Sequence, residues 1–171
     1  MKKHLNHISV ALLAVASAIA IYSCGDDTCE GNQSSLPQAG FYSSQTKAAI
    51  TVDSITIYGV GVPNDSAIVR NSKIQNVYLP FNVDAQESKF VIRYEQKDLA
   101  KYNITDTIAF TYTCEPYFHS KECGAFYVFN VTGQYVSHNL IDSMQLAKPV
   151  IDNADIENIR LFFRTEEESE Q

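Results

Sequence analysis

The sequence predicts an all-β fold, namely an antiparallel β-sandwich of the jelly-roll or immunoglobulin-like type with about eight strands. Apolar residues come in short runs that alternate with polar residues, which is the period of a half-buried strand. Turn residues separate these runs at intervals of roughly 8–16 residues, as in sandwiches and related barrels. No convincing amphipathic helix is found, and no internal repeat.

The first strands are short and irregular. One is predicted at residues 41–42 and the next over 50–57, where apolar residues alternate on either side of Asp53 and Ser54. Because alternation resets there, a turn or bulge is expected at these two residues. Residues 59–66 contain two glycines, a proline, an asparagine and an aspartate, which is typical of a loop.

The later strands are longer and more aromatic. Pro80 interrupts the run at 77–81, which therefore belongs at a sheet edge. Residues 123–131 are apolar on both faces, so a central strand covered on both sides is expected. Residues 141–146 form either a strand or a helical turn. Further strands are predicted at residues 90–94, 108–114 and 159–163.

The length and charge indicate one domain of ordinary size. The chain has 171 residues and a formal net charge of −7, which argues against nucleic acid as a partner. We divide it into a lipoprotein signal peptide at 1–23, a polar tether at 24–38, the β-sandwich at 39–165 and an acidic tail at 166–171.

The start of the chain predicts export. A basic start precedes an apolar run over 8–22, which is shorter than the roughly 20 residues of a membrane span and is typical of a secretory signal peptide. Ser23 and Cys24 then resemble the end of a bacterial lipoprotein signal, in which the Cys24 thiol takes the lipid. An ordinary cleaved signal peptide is the alternative. The acidic Gly25-Asp26-Asp27 is either a surface-export tract or a plain linker.

If Cys24 carries lipid, three cysteines remain, at Cys29, Cys114 and Cys123. Outside the cytoplasm two of them are expected to pair and one to stay free. Cys114 and Cys123 flank a predicted hairpin turn and need not face each other. We favour Cys29 with Cys123, a pair that would pin the tether to the domain and close a long loop of the unfolded chain.

Several segments resemble an uncharacterised family of Bacteroidota lipoproteins, a domain of unknown function. They include Phe-Thr-Tyr-Thr-Cys at 110–114, Ser-Lys-Glu-Cys-Gly at 120–124 and Tyr-Val-Phe at 127–129. The resemblance covers most of 24–164 and implies export and a β-rich fold. It brings no activity and no catalytic residues. Gly124, after the cysteine, is expected where the backbone turns or packs closely.

No metal or cofactor is predicted. Cys114, His119 and Cys123, with Cys29 as a fourth ligand, match no common zinc spacing. The acidic stretch 152–157 lacks the glycine and the terminal glutamate of an EF-hand loop.

We also predict that the protein is not an enzyme. His138 has Ser137 beside it and Asp142 nearby, but no Gly-x-Ser-x-Gly element is present. Carboxylates are numerous, yet the sequence places no two of them together as a glycosidase requires.

Four triplets of the form Asp, then Ser or Thr, then a small or apolar residue resemble the O-glycosylation acceptor of exported Bacteroidota proteins. The same triplets also make good turns before a strand, and we weigh the two interpretations evenly. The acceptor residues are Ser54, Ser66, Thr107 and Ser143.

Together these observations predict a lipid-anchored outer-membrane protein with a structural or binding role, facing the periplasm or the cell surface. Its partners would be the membrane, through the anchor, and an envelope protein or a glycan. The alternative is a carbohydrate-binding accessory lipoprotein of a surface nutrient-uptake system. Tyr42, Tyr58 and Tyr117 lie near predicted strand ends and are the candidate exposed rings.

Overall fold

The computed structural model, which describes residues 34–62, 66–121 and 123–165, consists of two β-sheets packed face to face. The predicted all-β sandwich is confirmed. The described strands number ten, where the sequence indicated about eight. They are β1 Gln38–Ser43, β2 Val52–Gly59, β3 Ala67–Ile74, β4 Asn76–Tyr78, β5 Glu87–Tyr94, β6 Thr105–Ser120, β7 Gly124–Val136, β8 Ile141–Leu146, β9 Val150–Ile151 and β10 Glu157–Phe163, with one helical turn, α1 Lys97–Ala100.

The smaller sheet has the order β4-β1-β10-β8, and the larger has the order β3-β2-β5-β6-β7-β9. All neighbours are antiparallel except β1 and β10, which run parallel. Parallel neighbours need a long crossover. Here the whole larger sheet lies between the two strands in the chain, so the first and last strands meet in the middle of the smaller sheet.

Two local predictions are confirmed, and one alternative that the sequence left open is decided. Ser54 has a φ of 51°, and the pairing of β2 with β3 shifts register between Val52 and Ile55. β4 ends before Pro80 and lies at an edge of the smaller sheet. Residues 141–146 are a strand, not a helical turn.

One prediction is wrong. Residues 123–131 do not form a strand covered on both faces, since Phe129 is the one residue of β7 that is fully buried. β7 instead pairs with β6 far beyond the other strands, and its aromatic residues there face solvent. Apolar residues on both faces of this segment therefore belong to an exposed hairpin and not to a buried strand.

Inward-facing side chains of both sheets build the core. Alternate positions of β6, beginning with Asp106 and Ile108 and continuing to Phe110 and Tyr112, all point inward. Phe81 lies at one end of this core, with its ring stacked 4.8 Å from that of Tyr112. Large fully buried side chains include Phe41, Ile55, Ile57, Leu79, Phe90, Ile92, Tyr94, Ile108, Phe110, Phe129, Ile141 and Ile151.

Candidate functional site

The most prominent surface feature is a two-stranded projection, which we call the arm, formed by residues 115–120 of β6 and 124–128 of β7. β5 pairs with β6 no further than Thr111, and β9 pairs with β7 at Phe129 and Asn130. Beyond these points β6 and β7 pair only with each other among the described strands. The arm therefore leaves the sandwich as a hairpin whose outer backbone edges are open.

Aromatic rings cover both faces of the arm. Phe118 is 66% exposed, Tyr117 52% and Tyr127 43%. On one face the ring of Tyr117 lies 5.1 Å from that of Phe126, and the His119 ring lies 6.1 Å from Phe126. The ring contacts of Tyr117 are with His119 and Phe126, which lie on the arm itself, and the exposed rings form an apolar surface of the kind that marks an interaction site.

The opposite face continues the line of core positions. Strand alternation places Cys114, Pro116 and Phe118 on the face of Tyr112, and Tyr127 is paired with Pro116. Nearer the sandwich this face is covered by the smaller sheet. Phe118 and Tyr127 are exposed because the described part of that sheet does not reach them.

Backbone irregularities mark the tip and the base of the arm. At the tip Gly124 has a φ of +73°, a conformation that favours glycine, and Cys123 N donates to Ser120 Oγ at 3.0 Å. At the base the pairing shifts between Thr111 and Tyr112, leaving an extra residue on β7. A bulge of this kind bends the hairpin away from the sheet.

The arm stands on a packed aromatic base. Phe81 stacks on Tyr112, and its ring centroid lies 5.5 Å from that of Phe129. The Tyr112 hydroxyl donates to the Asn82 carbonyl at 2.8 Å and lies 2.7 Å from Ser88 Oγ. Burial is the main cause that raises the pKa of Tyr112. This base holds the root of the arm in place.

The segment that leads into β1 joins the sandwich at the same end as the arm. The Pro37 carbonyl accepts a hydrogen bond from Leu79 N at 2.9 Å. Phe81 follows Leu79 by two residues, which is about 7 Å along an extended chain. Phe81 contacts the base of the arm. The segment before β1 and the root of the arm are therefore neighbours.

The other end of the sandwich is organised around Asp106, which is fully buried. Its Oδ1 accepts from Ser137 Oγ at 2.7 Å and from Asn139 N at 2.9 Å. Its Oδ2 accepts from the Tyr94 hydroxyl at 2.8 Å and from two backbone N–H groups, those of Leu140 and Ile141. A buried carboxylate with this many donors is a structural anchor for the β7–β8 turn.

Tyr94 is the other titratable group of this cluster. Burial, followed by the Asp106 charge and its hydrogen bond, raises the pKa of Tyr94 far above its ordinary value. The phenol therefore stays protonated and keeps donating to the carboxylate.

The structure separates the residues of the rejected hydrolase site. Ser137 Oγ donates to Asp106 and accepts from Thr107 N at 2.8 Å. His138 Nδ1 lies 2.9 Å from the Asp142 carbonyl oxygen, so it contacts the backbone and not the carboxylate.

Among the described residues, no group of three His, Cys, Asp or Glu side chains is arranged to hold a metal ion.

Two of the predicted cysteines are described. Cys114 is a free thiol whose pKa burial raises, and Cys123 is not free. Cys29 and the predicted lipidation residue Cys24 lie outside the described residues, so the Cys29–Cys123 pair stays a prediction. Cys114 sits at the root of the arm and Cys123 at its tip, and a hairpin nearly the length of the arm separates them.

The predicted O-glycosylation residues differ in accessibility. Ser66 is exposed, whereas Ser54, Thr107 and Ser143 are half-buried within strands. Ser54 Oγ donates to Asp53 Oδ1 at 3.2 Å in the β2 bulge. A structural role thus accounts for two of the triplets, Asp53-Ser54 through the bulge and Asp106-Thr107 through the buried carboxylate; glycosylation itself stays a prediction.

Of the three candidate exposed rings, Tyr117 is exposed, whereas Tyr42 and Tyr58 are half-buried. The Tyr42 hydroxyl donates to Glu157 Oε2 at 2.6 Å, and this hydrogen bond raises its pKa. The guanidinium of Arg93 lies 5.5 Å from the ring centre of Tyr58. Both of these rings are already engaged within the fold.

A cleft of about 610 Å³ opens near the arm, between the end of β2 and the start of β5. Glycine backbone, aliphatic side chains such as Val60 and Val62, and Lys89 line it. Phe90, the one ring among its described lining residues, is buried. The cleft therefore lacks the stacking surface on which a sugar ring would bind.

Sequence reasoning missed both the arm and the Asp106 cluster, although each left a signal. Asp106 occupies an inward position in the alternation of Ile108, Phe110 and Tyr112, which marks a buried carboxylate. β6 and β7 are 16 and 13 residues long against eight or fewer for every other described strand. Such an excess indicates that part of the pair projects beyond its sheet.

A family model described as a family of unknown function (DUF6452) matches residues 54–163, which is more than half of the chain. The match runs from β2 through β10 and includes both the arm and the Asp106 cluster. No curated protein and no solved structure matches the chain. No helix within the described ranges is long and apolar enough to cross a bilayer.

Proposed function

We propose that this chain, which belongs to the family of unknown function DUF6452, is a lipid-anchored binding protein of a bacterial cell envelope without a catalytic site. Its contact surface is the arm. The observation that carries this proposal is the exposure of three large rings on a hairpin that the rest of the described chain leaves uncovered.

The anchoring part of the proposal comes from the sequence. Residues 1–23 are the signal peptide, Cys24 carries the lipid, and the protein is an outer-membrane lipoprotein of the Bacteroidota type. Two or more acyl chains give stable anchoring, since each buried CH₂ contributes about 0.8 kcal/mol. A disulfide between Cys29 and Cys123 is part of the proposal and is supported by the finding that Cys123 is engaged.

The geometry supports arm-mediated contact better than the alternative, a carbohydrate-binding accessory lipoprotein. That alternative needs exposed rings on a concave face. The rings of Tyr117, Phe118 and Tyr127 instead project outward on a hairpin, and the neighbouring cleft offers no exposed ring.

The anchor is tested by expressing the full chain in a bacterium with a lipoprotein pathway and comparing it with Cys24→Ala. Mass spectrometry of the N-terminal peptide should find a diacylglyceryl cysteine in the parent, and the parent should float with membranes on a density gradient. Cys24→Ala should be soluble. Cys114→Ala is the matched control and should behave like the parent. Equal membrane association of Cys24→Ala and the parent would overturn the anchor.

A further inference from the structure

We propose that the arm rests in the interfacial layer of the phospholipid membrane in which Cys24 is anchored. This inference rests on the proposed lipid anchor. The bilayer covers the exposed surface of the arm. The domain is oriented with the arm toward the bilayer and the Asp106 end away from it.

Chain length places the arm near the membrane. Nine residues lie between Cys24 and Ser34, the first described residue, and an extended chain spans the ten steps from one to the other in at most about 36 Å. Residues 115–120 of the arm extend about 17 Å from its root. Because the chain enters the sandwich at the root of the arm, the tip of the arm lies within the reach of the tether, and the opposite end of the domain faces away.

The proposed disulfide shortens this tether. Cys29 follows Cys24 by five residues, which span at most about 18 Å. If Cys29 pairs with Cys123, the tip of the arm is held within that distance of the lipidated residue. Phe126 and Tyr127 follow Cys123 by three and four residues, about 10–13 Å along the strand. The rings would then be within reach of the lipid headgroups.

The chemistry of the arm fits that depth. Tyrosine combines an apolar ring with a polar hydroxyl and concentrates at membrane–water interfaces. Neither Tyr117 nor Tyr127 makes a hydrogen bond to another described residue, so both hydroxyls are available to headgroups. Phe118, the most exposed apolar side chain of the arm, is suited to the outer part of the acyl layer.

The backbone limits how deep the arm goes. Its two outer edges carry unpaired N–H and C=O groups among the described strands, and such groups cannot be left unsatisfied in hydrocarbon. The hydrated headgroup layer satisfies them. The arm therefore lies shallow and does not span the bilayer.

Charge predicts which lipids it prefers. The two strands of the arm carry one acid, Glu115, the described part of the turn at its tip adds one base, the exposed Lys121, and the whole chain is acidic. A single lysine falls far short of the basic cluster that draws a protein to anionic lipid, so burial of apolar surface drives the contact. We expect an interaction that changes little with salt and is no stronger on anionic vesicles than on zwitterionic ones.

The chain contains no tryptophan, so one introduced tryptophan reports on its own surroundings. Phe118→Trp places this probe on the arm, and Tyr102→Trp places it at the opposite end; both positions are 66% exposed. The lipidated full-length variants are reconstituted into phosphatidylcholine–phosphatidylethanolamine vesicles, some with bromine on the upper acyl carbons. Tryptophan emission is recorded for each, and flotation of the same samples reports anchoring. Tyr127→Trp serves as a second arm probe.

We expect both arm probes to shift to shorter wavelength and to lose most of their intensity with brominated lipid, while Tyr102→Trp stays unshifted and unquenched. Variants that float but whose arm probes behave like Tyr102→Trp would leave the anchor standing and overturn the inference. An arm probe that shifts without bromine quenching means that protein, such as a second copy, covers the arm, which also overturns it. Variants that do not float overturn the anchor and, with it, this inference.

Discussion

The two ends of the sandwich hold their polar and apolar groups in opposite ways. At one end a charged side chain, Asp106, is fully buried and has five hydrogen-bond donors around it. At the other end large apolar rings such as Phe118 are exposed on a hairpin. Buried charge and exposed aromatic surface both cost free energy. The first cost is offset within the fold, whereas the second is offset only if something outside the described chain covers the arm.

At the Asp106 end polar groups are paired within the fold, whereas at the arm end apolar surface is left uncovered by the described chain. The five donors around Asp106 are satisfied within the fold. The base of the arm, with Phe81 at its centre, is packed as a normal core. The large exposed rings at this end, Tyr117, Phe118 and Tyr127, all lie past Cys114, on a hairpin that the base of the arm supports.

The largest effect is expected at the buried end. Asp106→Ala removes the acceptor of five donors and leaves a buried hydroxyl and backbone N–H groups unsatisfied. The free energy of unfolding should fall by more than about 4 kcal/mol. Urea unfolding followed by circular dichroism measures this loss.

Asp98→Ala is the matched control, since Asp98 is an exposed aspartate on α1, and it should change stability by less than about 0.5 kcal/mol. Similar unfolding midpoints for the two variants would show that the Asp106 hydrogen bonds do not stabilise the fold.

A pair of phenylalanines tests the boundary between the base and the arm. Phe81→Ala opens a cavity among the rings of Tyr112, Phe110 and Phe129 and should cost about 3–4 kcal/mol. Phe118→Ala, out on the arm, should cost less than about 0.5 kcal/mol. Urea unfolding of the two variants, followed by circular dichroism, measures both losses of stability. If Phe118→Ala proved as destabilising as Phe81→Ala, the arm would be part of the core and not a free surface.

Tyr94→Phe should cost roughly 1.5–3 kcal/mol at neutral pH, the contribution of one hydrogen bond to a charged group. It should also change the response to alkali. The pKa of Tyr94 is raised in the folded state, so its contribution to stability is complete below the unfolded value of about 10 and is lost as the pH rises above it.

The measurement for Tyr94 is the urea midpoint of the parent and of Tyr94→Phe between pH 7 and pH 11. The parent should lose up to about 1.4 kcal/mol more than the variant for each unit above pH 10, so the two curves converge. Parallel curves would mean that Tyr94 ionises as readily in the folded protein as in the unfolded chain.

The smallest effect concerns Cys114 and Cys123, at the root and at the tip of the arm. Burial raises the pKa of Cys114, and the thiolate is the reactive form. Iodoacetamide at pH 8 should therefore label Cys114 more slowly in the folded chain than in urea.

Peptide mapping without reduction should find Cys29 joined to Cys123. A linked Cys114–Cys123 peptide would contradict both the proposed pair and the free thiol.

Strand alternation and turn residues alone were enough to predict the sandwich, the bulge at Ser54 and the edge position of β4. These are local properties, since side-chain period and proline geometry act within a few residues. The basic start, the short apolar run and Cys24 are likewise local features, so the proposed anchor could be predicted from a short segment.

Tertiary structure alone decided what an aromatic residue does. Phe110 and Phe118 occupy equivalent alternating positions on β6, yet one is fully buried and the other is 66% exposed. The difference lies in whether a second sheet lies over the residue, which depends on strands distant in sequence. The same holds for Asp106, whose donors come from β5 and from residues 137–141. Sequence thus determined the elements of this protein, and the packing of distant strands determined which of its faces are free to bind.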